Sequence, residues 1–135
     1  MVGIALFTHR QLGVEILRAA ESIVGPQEKV VVVAITAKDS LLSIKERCRG
    51  SLNKLDDGSG ILIMTDMLGG SASNACLGLI NDFSLEILTG LSLPMLISAL
   101  INRQRMGLKE LANKTLEDAK KSMINAKGMF MDKLK

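Results

Sequence analysis

The chain holds one histidine, His9, at the end of an apolar run over residues 2–7, with Arg10 directly behind it. Asp66 follows a second apolar run, ILIMT, and opens the segment DMLGGSAS. A carboxylate that accepts a hydrogen bond from one imidazole nitrogen fixes the tautomer and raises the basicity of the ring. The other nitrogen keeps its lone pair and becomes an oriented nucleophile. Gly69-Gly70-Ser71 leads into a helix, where backbone N–H groups can converge on an anion. Ser71 and Ser73 add hydroxyl donors. A nucleophilic His, an orienting Asp and an anion cradle together suit phosphoryl transfer through a phosphohistidine, which needs positioning and charge stabilisation above all.

Each piece also has a plainer reading. A His after a strand can be a loop residue, an Asp there a turn former or helix cap, and Gly-Gly-Ser a tight turn with its cap. Other chemistries are excluded. A single His rules out a His-rich metal site, so no metal is expected. There is no G-x-x-x-x-G-K-[ST] for a P-loop. GGSAS lacks the G-x-S-x-G spacing of a hydrolase elbow.

His9 and Asp66 can meet only if the elements around them bring them together. Residues 2–7, KVVVVAI, ILIMT and the weaker SLEIL read as strands. The second is β-branched and does not alternate, as in strands buried on both faces of a parallel sheet. Between them the apolar period becomes helical. Leu12, Ile16, Ala19, Ala20 and Ile23 share one face of a helix that Gly25-Pro26 stops. Leu41, Ile44, Cys48, Leu52 and Leu55 share another, capped by Asp39 or Ser40. A third carries Ala75, Cys76, Leu79 and Ile80, and a fourth starts near Pro94. A last helix runs from Leu108 through Leu111, Ala112, Leu116, Ala119, Met123 and Ala126.

The order βαβαβαβ followed by helices specifies an α/β fold, a doubly wound, mainly parallel sheet with helices on both faces. In such sheets ligands bind at the carboxyl ends of the strands, where the winding reverses. With strand order 2-1-3-4 the reversal lies between strands 1 and 3, and His9 and Asp66 face each other across it. No repeat or linker divides the chain, so residues 1–135 are expected to form one domain.

The totals agree with this class. The 135 residues are 47% hydrophobic and 23% charged, the balance of a chain with a real core. Aromatics are 2%, so base stacking has almost nothing to work with, and a net charge of +3 is too sparse for a nucleic-acid footprint. Cys48 and Cys76 fall on apolar stripes and read as small buried hydrophobes in a reducing compartment. The start lacks a basic region before its apolar run, and LSLPMLISALI is too short to span a bilayer. A cytoplasmic protein without direct membrane insertion is expected.

GIALFTHRQLGVEILRAAESIVG, ILIMTDMLGGSASNACL and EILTGLSLPML, in that order, resemble the enzyme IIA of the mannose-type phosphoenolpyruvate-dependent sugar phosphotransferase system. The resemblance runs from residue 2 to about residue 103, and the last helix matches only in character. In that family a Thr-His-Gly follows strand 1 and its His carries the phosphoryl group; His9 matches it. An Asp after strand 3 orients the His; Asp66 matches it. The family's Asp-x-x-Gly-Gly-Ser/Thr-Pro-x-Asn loop matches DMLGGSASN, with Ser71 at the hydroxyl position and Asn74 at the last.

The resemblance implies a phosphotransferase component that works as a homodimer, in which a strand after the fourth can pair across the subunits. It implies a relay: the histidine-containing phosphocarrier protein phosphorylates His9, with the Gly69-Gly70-Ser71 loop around the phosphoryl group. A IIB component then takes the group towards a sugar permease in the membrane. No metal or organic cofactor is implied. Three positions depart from the family: Arg10 replaces Gly, Ala72 replaces Pro and Ser92 replaces Asn. Arg10 can clasp a phosphoryl oxygen, obstruct a partner or turn to solvent, the usual course of a long charged side chain. The departures leave two alternatives to sugar transport. One is a regulatory module that uses the same phosphohistidine, and the other is a fold relative that carries no phosphate.

Overall fold

The structure is a computed structural model and describes residues 1–134. Four strands, Gly3–His9 (β1), Val30–Ile35 (β2), Ile61–Thr65 (β3) and Leu85–Thr89 (β4), pair in parallel in the order β2-β1-β3-β4. Six helices complete the described chain: Leu12–Val24 (α1), Leu41–Leu55 (α2), Ser71–Leu77 (α3), Leu93–Asn102 (α4), Leu108–Lys121 (α5) and Ala126–Lys133 (α6).

The unalternating strands explain the layering. On β1, Ile4 and Leu6 point into a core that includes α1, α4 and α5, whereas Ala5 and Phe7 point into a second core built with α2 and α3. A strand with helices on both faces has no side that can be polar. All five residues of β3 are buried. Cys48 and Cys76 lie in the second core as free, buried cysteines. Ser92 caps α4 by accepting from the Met95 N–H at 3.2 Å, with Pro94 in the first turn.

Leu41, expected on the packed face of α2, is exposed, and three further local expectations change. The packed face of α1 runs through Gly13, Ile16, Leu17, Ala20 and Val24, while Leu12 and Ile23 are exposed. Gly13 sets this rotation. A Cβ there would stand 2.8 Å from Thr8 Oγ1 and 2.9 Å from Val32 Cγ1, so only glycine lets the helix approach the sheet at that point. The third helix ends at Leu77, so Leu79 is buried from a turn and Ile80 is exposed. The last helix also stops early. Leu111, Ala112 and Ala119 dock against the sheet, but α5 ends at Lys121 and Met123 is exposed. Asn125 then caps a separate helix, α6, by accepting from the Gly128 N–H at 3.2 Å. Among the described residues no strand follows β4.

At the amino ends of the strands, buried Arg103 ties two of them together. Its guanidinium donates to the carbonyls of Val2, Glu28 and Lys29 and to Gln27 Oε1. The opposite, carboxyl ends are left for the loops that carry the polar residues.

Candidate functional site

His9 is the last residue of β1, and Asp66 follows the last residue of β3. These strands are neighbours, with Phe7 opposite Thr65, so the two side chains meet where the winding reverses. Asp66 Oδ2 accepts two hydrogen bonds from His9, one from the backbone N–H and one from ring Nδ1, each 2.8 Å long. The backbone bond locates the carboxylate against the strand end, and the ring bond then sets the imidazole's orientation.

The carboxylate side chain is only 12% exposed, while the imidazole is 49% exposed. Burial pushes the Asp66 carboxyl up, but the hydrogen bonds and charge of His9 outweigh it and hold the group below its ordinary value. Asp66 is therefore an anion at neutral pH. An anionic acceptor at Nδ1 selects the tautomer with the proton on Nδ1, and Nε2 keeps its lone pair on the open side of the ring.

The loop from Asp66 to α3 closes around the same ring. Gly69 has φ +83°, a conformation that side chains rarely adopt. At Gly70 a Cβ would stand 3.3 Å from His9 Cε1, so its absence lets the loop lie against the imidazole. Ser73 is buried and fastens this turn: its Oγ accepts from the Gly69 N–H at 3.0 Å and donates to the Gly70 carbonyl at 3.1 Å. The Ser73 hydroxyl, read from the sequence as an anion donor, is thus engaged within its own loop, as is the Gly69 N–H. Ser71, by contrast, is exposed and lines the cleft beside His9.

That cleft, about 290 Å³, is bounded by His9, Arg10, Ile35, Thr36, Ala37 and Ser71. Ile35, Thr36 and Ala37 are additions to the sequence reading. They come from the end of β2, which the strand order sets beside β1. Arg10 has φ +49°, left-handed backbone that costs a non-glycine residue about 1 kcal/mol. Its N–H donates to the Ile35 carbonyl at 2.8 Å, which holds it there. The family's glycine at this position was the signal for that backbone.

Thr8 is a further positioning residue that the sequence reading passed over. Its buried Oγ1 accepts from the Gly13 N–H at 2.8 Å. Gln11, the cap residue of α1, makes no side-chain cap bond, so Thr8 anchors the first turn in its place. The short turn carrying Arg10 and Gln11 is thereby pinned at both ends. Among the described residues no group of three or more His, Cys, Asp or Glu is placed to hold a metal ion. No described helix is long and apolar enough to cross a membrane.

A parallel sheet wound in two directions, with an Asp-held imidazole and a glycine-turned loop at its switch point, defines an α/β protein that presents one half-exposed histidine to its surroundings. Residues 3–116 match the EIIA-man family, described as the phosphotransferase system (PTS) fructose IIA component, and the chain belongs to that family. It is 30% identical over 103 residues to the PTS system mannose-specific EIIAB component of Escherichia coli strain K12. That match covers 76% of this chain and 32% of the relative, so the chain matches about a third of that protein's length. It is 22% identical over 114 residues to the PTS system fructose-specific EIIA component of Bacillus subtilis strain 168, covering 84% of this chain and 78% of that one. Among solved structures, the phosphotransferase system component EIIA from Streptococcus agalactiae superposes with a TM-score of 0.87 at 26% identity, covering 95% of this chain and 99% of that one.

Proposed function

We propose that this chain is a phosphoryl carrier in which His9 Nε2 is the nucleophile. The observation that carries the reading is the 2.8 Å bond from His9 Nδ1 to an ionised Asp66, in a half-exposed ring that borders one cleft with Ser71 and Arg10. The Nε2 lone pair attacks the phosphorus of a phosphohistidine on the donor. The P–N bond to Nε2 forms as the P–N bond to the donor breaks, and the electron pair of that bond returns to the donor ring. No proton has to leave Nε2, because the ring's proton stays on Nδ1 against Asp66. As the ring gains positive charge, the carboxylate stabilises it.

Ser71 and the first-turn N–H groups of α3 face the transferred oxygens, and Arg10 can reach them with a charge-assisted bond. Gly69 and Gly70 act by letting the loop take its shape. The donor is the histidine-containing phosphocarrier protein and the acceptor a IIB component, in the cytoplasm, with residues 1–135 working as one unit in a homodimer. The membrane permease complex lies beyond the acceptor.

The test is intact mass spectrometry after incubation with phosphoenolpyruvate, the system's first enzyme and the phosphocarrier. One acid-labile phosphoryl group should appear, and His9→Ala should lose it. Label on His9→Ala, or none on the wild type while a known carrier in the same tube is labelled, refutes the reading.

A further inference from the structure

Cys48 and Cys76 stand together in the second core, both wholly buried, and the phosphoryl transfer above uses neither. Cys48 lies on α2 and Cys76 on α3. Two contacts on either side of Cys48 show how α2 faces its neighbour. A Cβ on Gly78 would stand 3.6 Å from the Cε of Lys45, and Arg49 Nη2 donates to Asp82 Oδ2 at 2.7 Å. The face of α2 that carries Cys48 is thus turned to α3 and the turn after it. The two thiols are hydrogen-bond neighbours. The bond with Cys76 lowers the Cys48 thiol, while Cys48 and burial raise Cys76. One sulfur that ionises more easily than an ordinary thiol therefore lies beside one that keeps its proton.

α3 is also the helix that continues the site loop. Ser73, one turn before Cys76 and buried with it, fastens the turn at Gly69 and Gly70. Gly70 in turn has no room for a Cβ against the His9 ring. The helix has seven residues, and its cap residue Gly70 supplies no side-chain bond. So short a helix opens locally at small free-energy cost and then admits a solute of about the size of water.

We propose that Cys48 and Cys76 close into a reversible disulfide when hydrogen peroxide reaches them, and that closure moves α3 and the loop that lies against His9. The Cys48 thiolate attacks a peroxide oxygen. The S–O bond forms, the O–O bond breaks, and the departing hydroxide takes up the proton that Cys48 released. The Cys76 sulfur then attacks the sulfur of the Cys48 sulfenic acid. The S–S bond forms, the S–O bond breaks, and a second water leaves with the Cys76 proton. Both sulfurs are oxidised, and the peroxide is reduced to two waters. Bonded sulfurs stand about 2.05 Å apart, well inside non-bonded contact, so α3 is drawn towards α2. In a reducing compartment the pair rests as thiols, and oxidation is transient. Only the consequence for phosphoryl uptake rests on the phosphohistidine reading above.

The test exposes the full chain to hydrogen peroxide and digests it. The peptides carrying Cys48 and Cys76 should be found joined and short of two hydrogens. His9 is the only histidine, so its ring gives a single set of NMR signals, which should move on oxidation and return with dithiothreitol. Phosphoryl uptake should fall about tenfold and recover with the same reductant. Cys76→Ala and, separately, Cys48→Ala should show neither change under the same peroxide, which also controls for oxidation of the eight methionines. Cysteines that stay reduced, gain oxygen or join two chains overturn the inference. A disulfide that leaves the His9 signals in place overturns it as well. If the disulfide forms and the signals move, but neither form takes label while a known carrier does, the switch stands and the phosphohistidine reading falls.

Discussion

Gly70 leaves no room for a side chain beside His9: a Cβ there would stand 3.3 Å from the imidazole Cε1. That is tighter than an ordinary van der Waals contact, so ring or loop would have to yield by a few tenths of an ångström. The Gly70 backbone is extended, at φ −77°, and accepts alanine without strain. Gly70→Ala should therefore leave the fold in place and displace the His9 ring. Small misplacements at a reacting centre cost rate steeply, and phosphoryl uptake should fall about tenfold. Rapid-quench labelling alongside a thermal melt checks both halves.

Asp66→Asn keeps the shape of the side chain and removes the charge. The amide can still accept from the His9 N–H, so stability should fall by only about 1–2 kcal/mol. The ring loses the anion that selects its tautomer and stabilises its developing charge. Phosphoryl uptake should drop about a hundredfold or more. Urea unfolding and label uptake separate the two effects, and an unimpaired rate would remove Asp66 from the mechanism.

Arg10 holds a left-handed backbone, φ +49°, between a strand and a helix that are both anchored. Arg10→Gly should relieve that strain, offset in part by the greater freedom of glycine in the unfolded chain. The net change should be neutral to about 1 kcal/mol stabilising. Arg10→Val, β-branched and at positive φ, should destabilise by about 1–2 kcal/mol. Chemical denaturation of the two variants gives the comparison directly.

Several carboxyls are held below their ordinary value in the folded chain. Burial opposes the shift at Asp66, but the bonds from His9 prevail. The Thr36 N–H lowers Asp39 and the Ser98 hydroxyl lowers Asp118. Groups depressed by folding stabilise the native state above their unfolded pKa. As acid is added, the unfolded chain binds protons first, so stability falls through the ordinary carboxylate range near about pH 4 and goes on falling below it. Denaturant midpoints measured from about pH 7 to about pH 3 should decline in that window. Constant midpoints would mean that these bonds add nothing net.

The resemblance and the apolar runs together placed the strand order and the position of His9 and Asp66 at adjacent strand ends. Runs such as ILIMT, apolar at every position, have only one stable use, burial between two layers of helices, and parallel strands joined through helices put their carboxyl ends on one edge. Ser73 shows where that reading stops. Its type marks it as a donor, yet whether its hydroxyl meets an anion or its own backbone depends on how the loop folds.

Glycine and chain termination behave likewise. Hydrophobic periodicity gives Gly13 no weight, so the packed face of α1 is misjudged by about one residue. Only contact with Thr8 and Val32 reveals the rotation. The apolar positions continue past Lys121, but the sheet they would cover ends, and Met123 is left in water. Which residues are apolar, in what period, and which few polar side chains stand at strand ends can be read from residue types and spacing. Which hydrogen bonds those side chains make, which helix face packs and what the rim of the site presents are set only once the chain has folded. Those outcomes depend on distances between segments far apart in the chain, and local pattern carries no information about such distances.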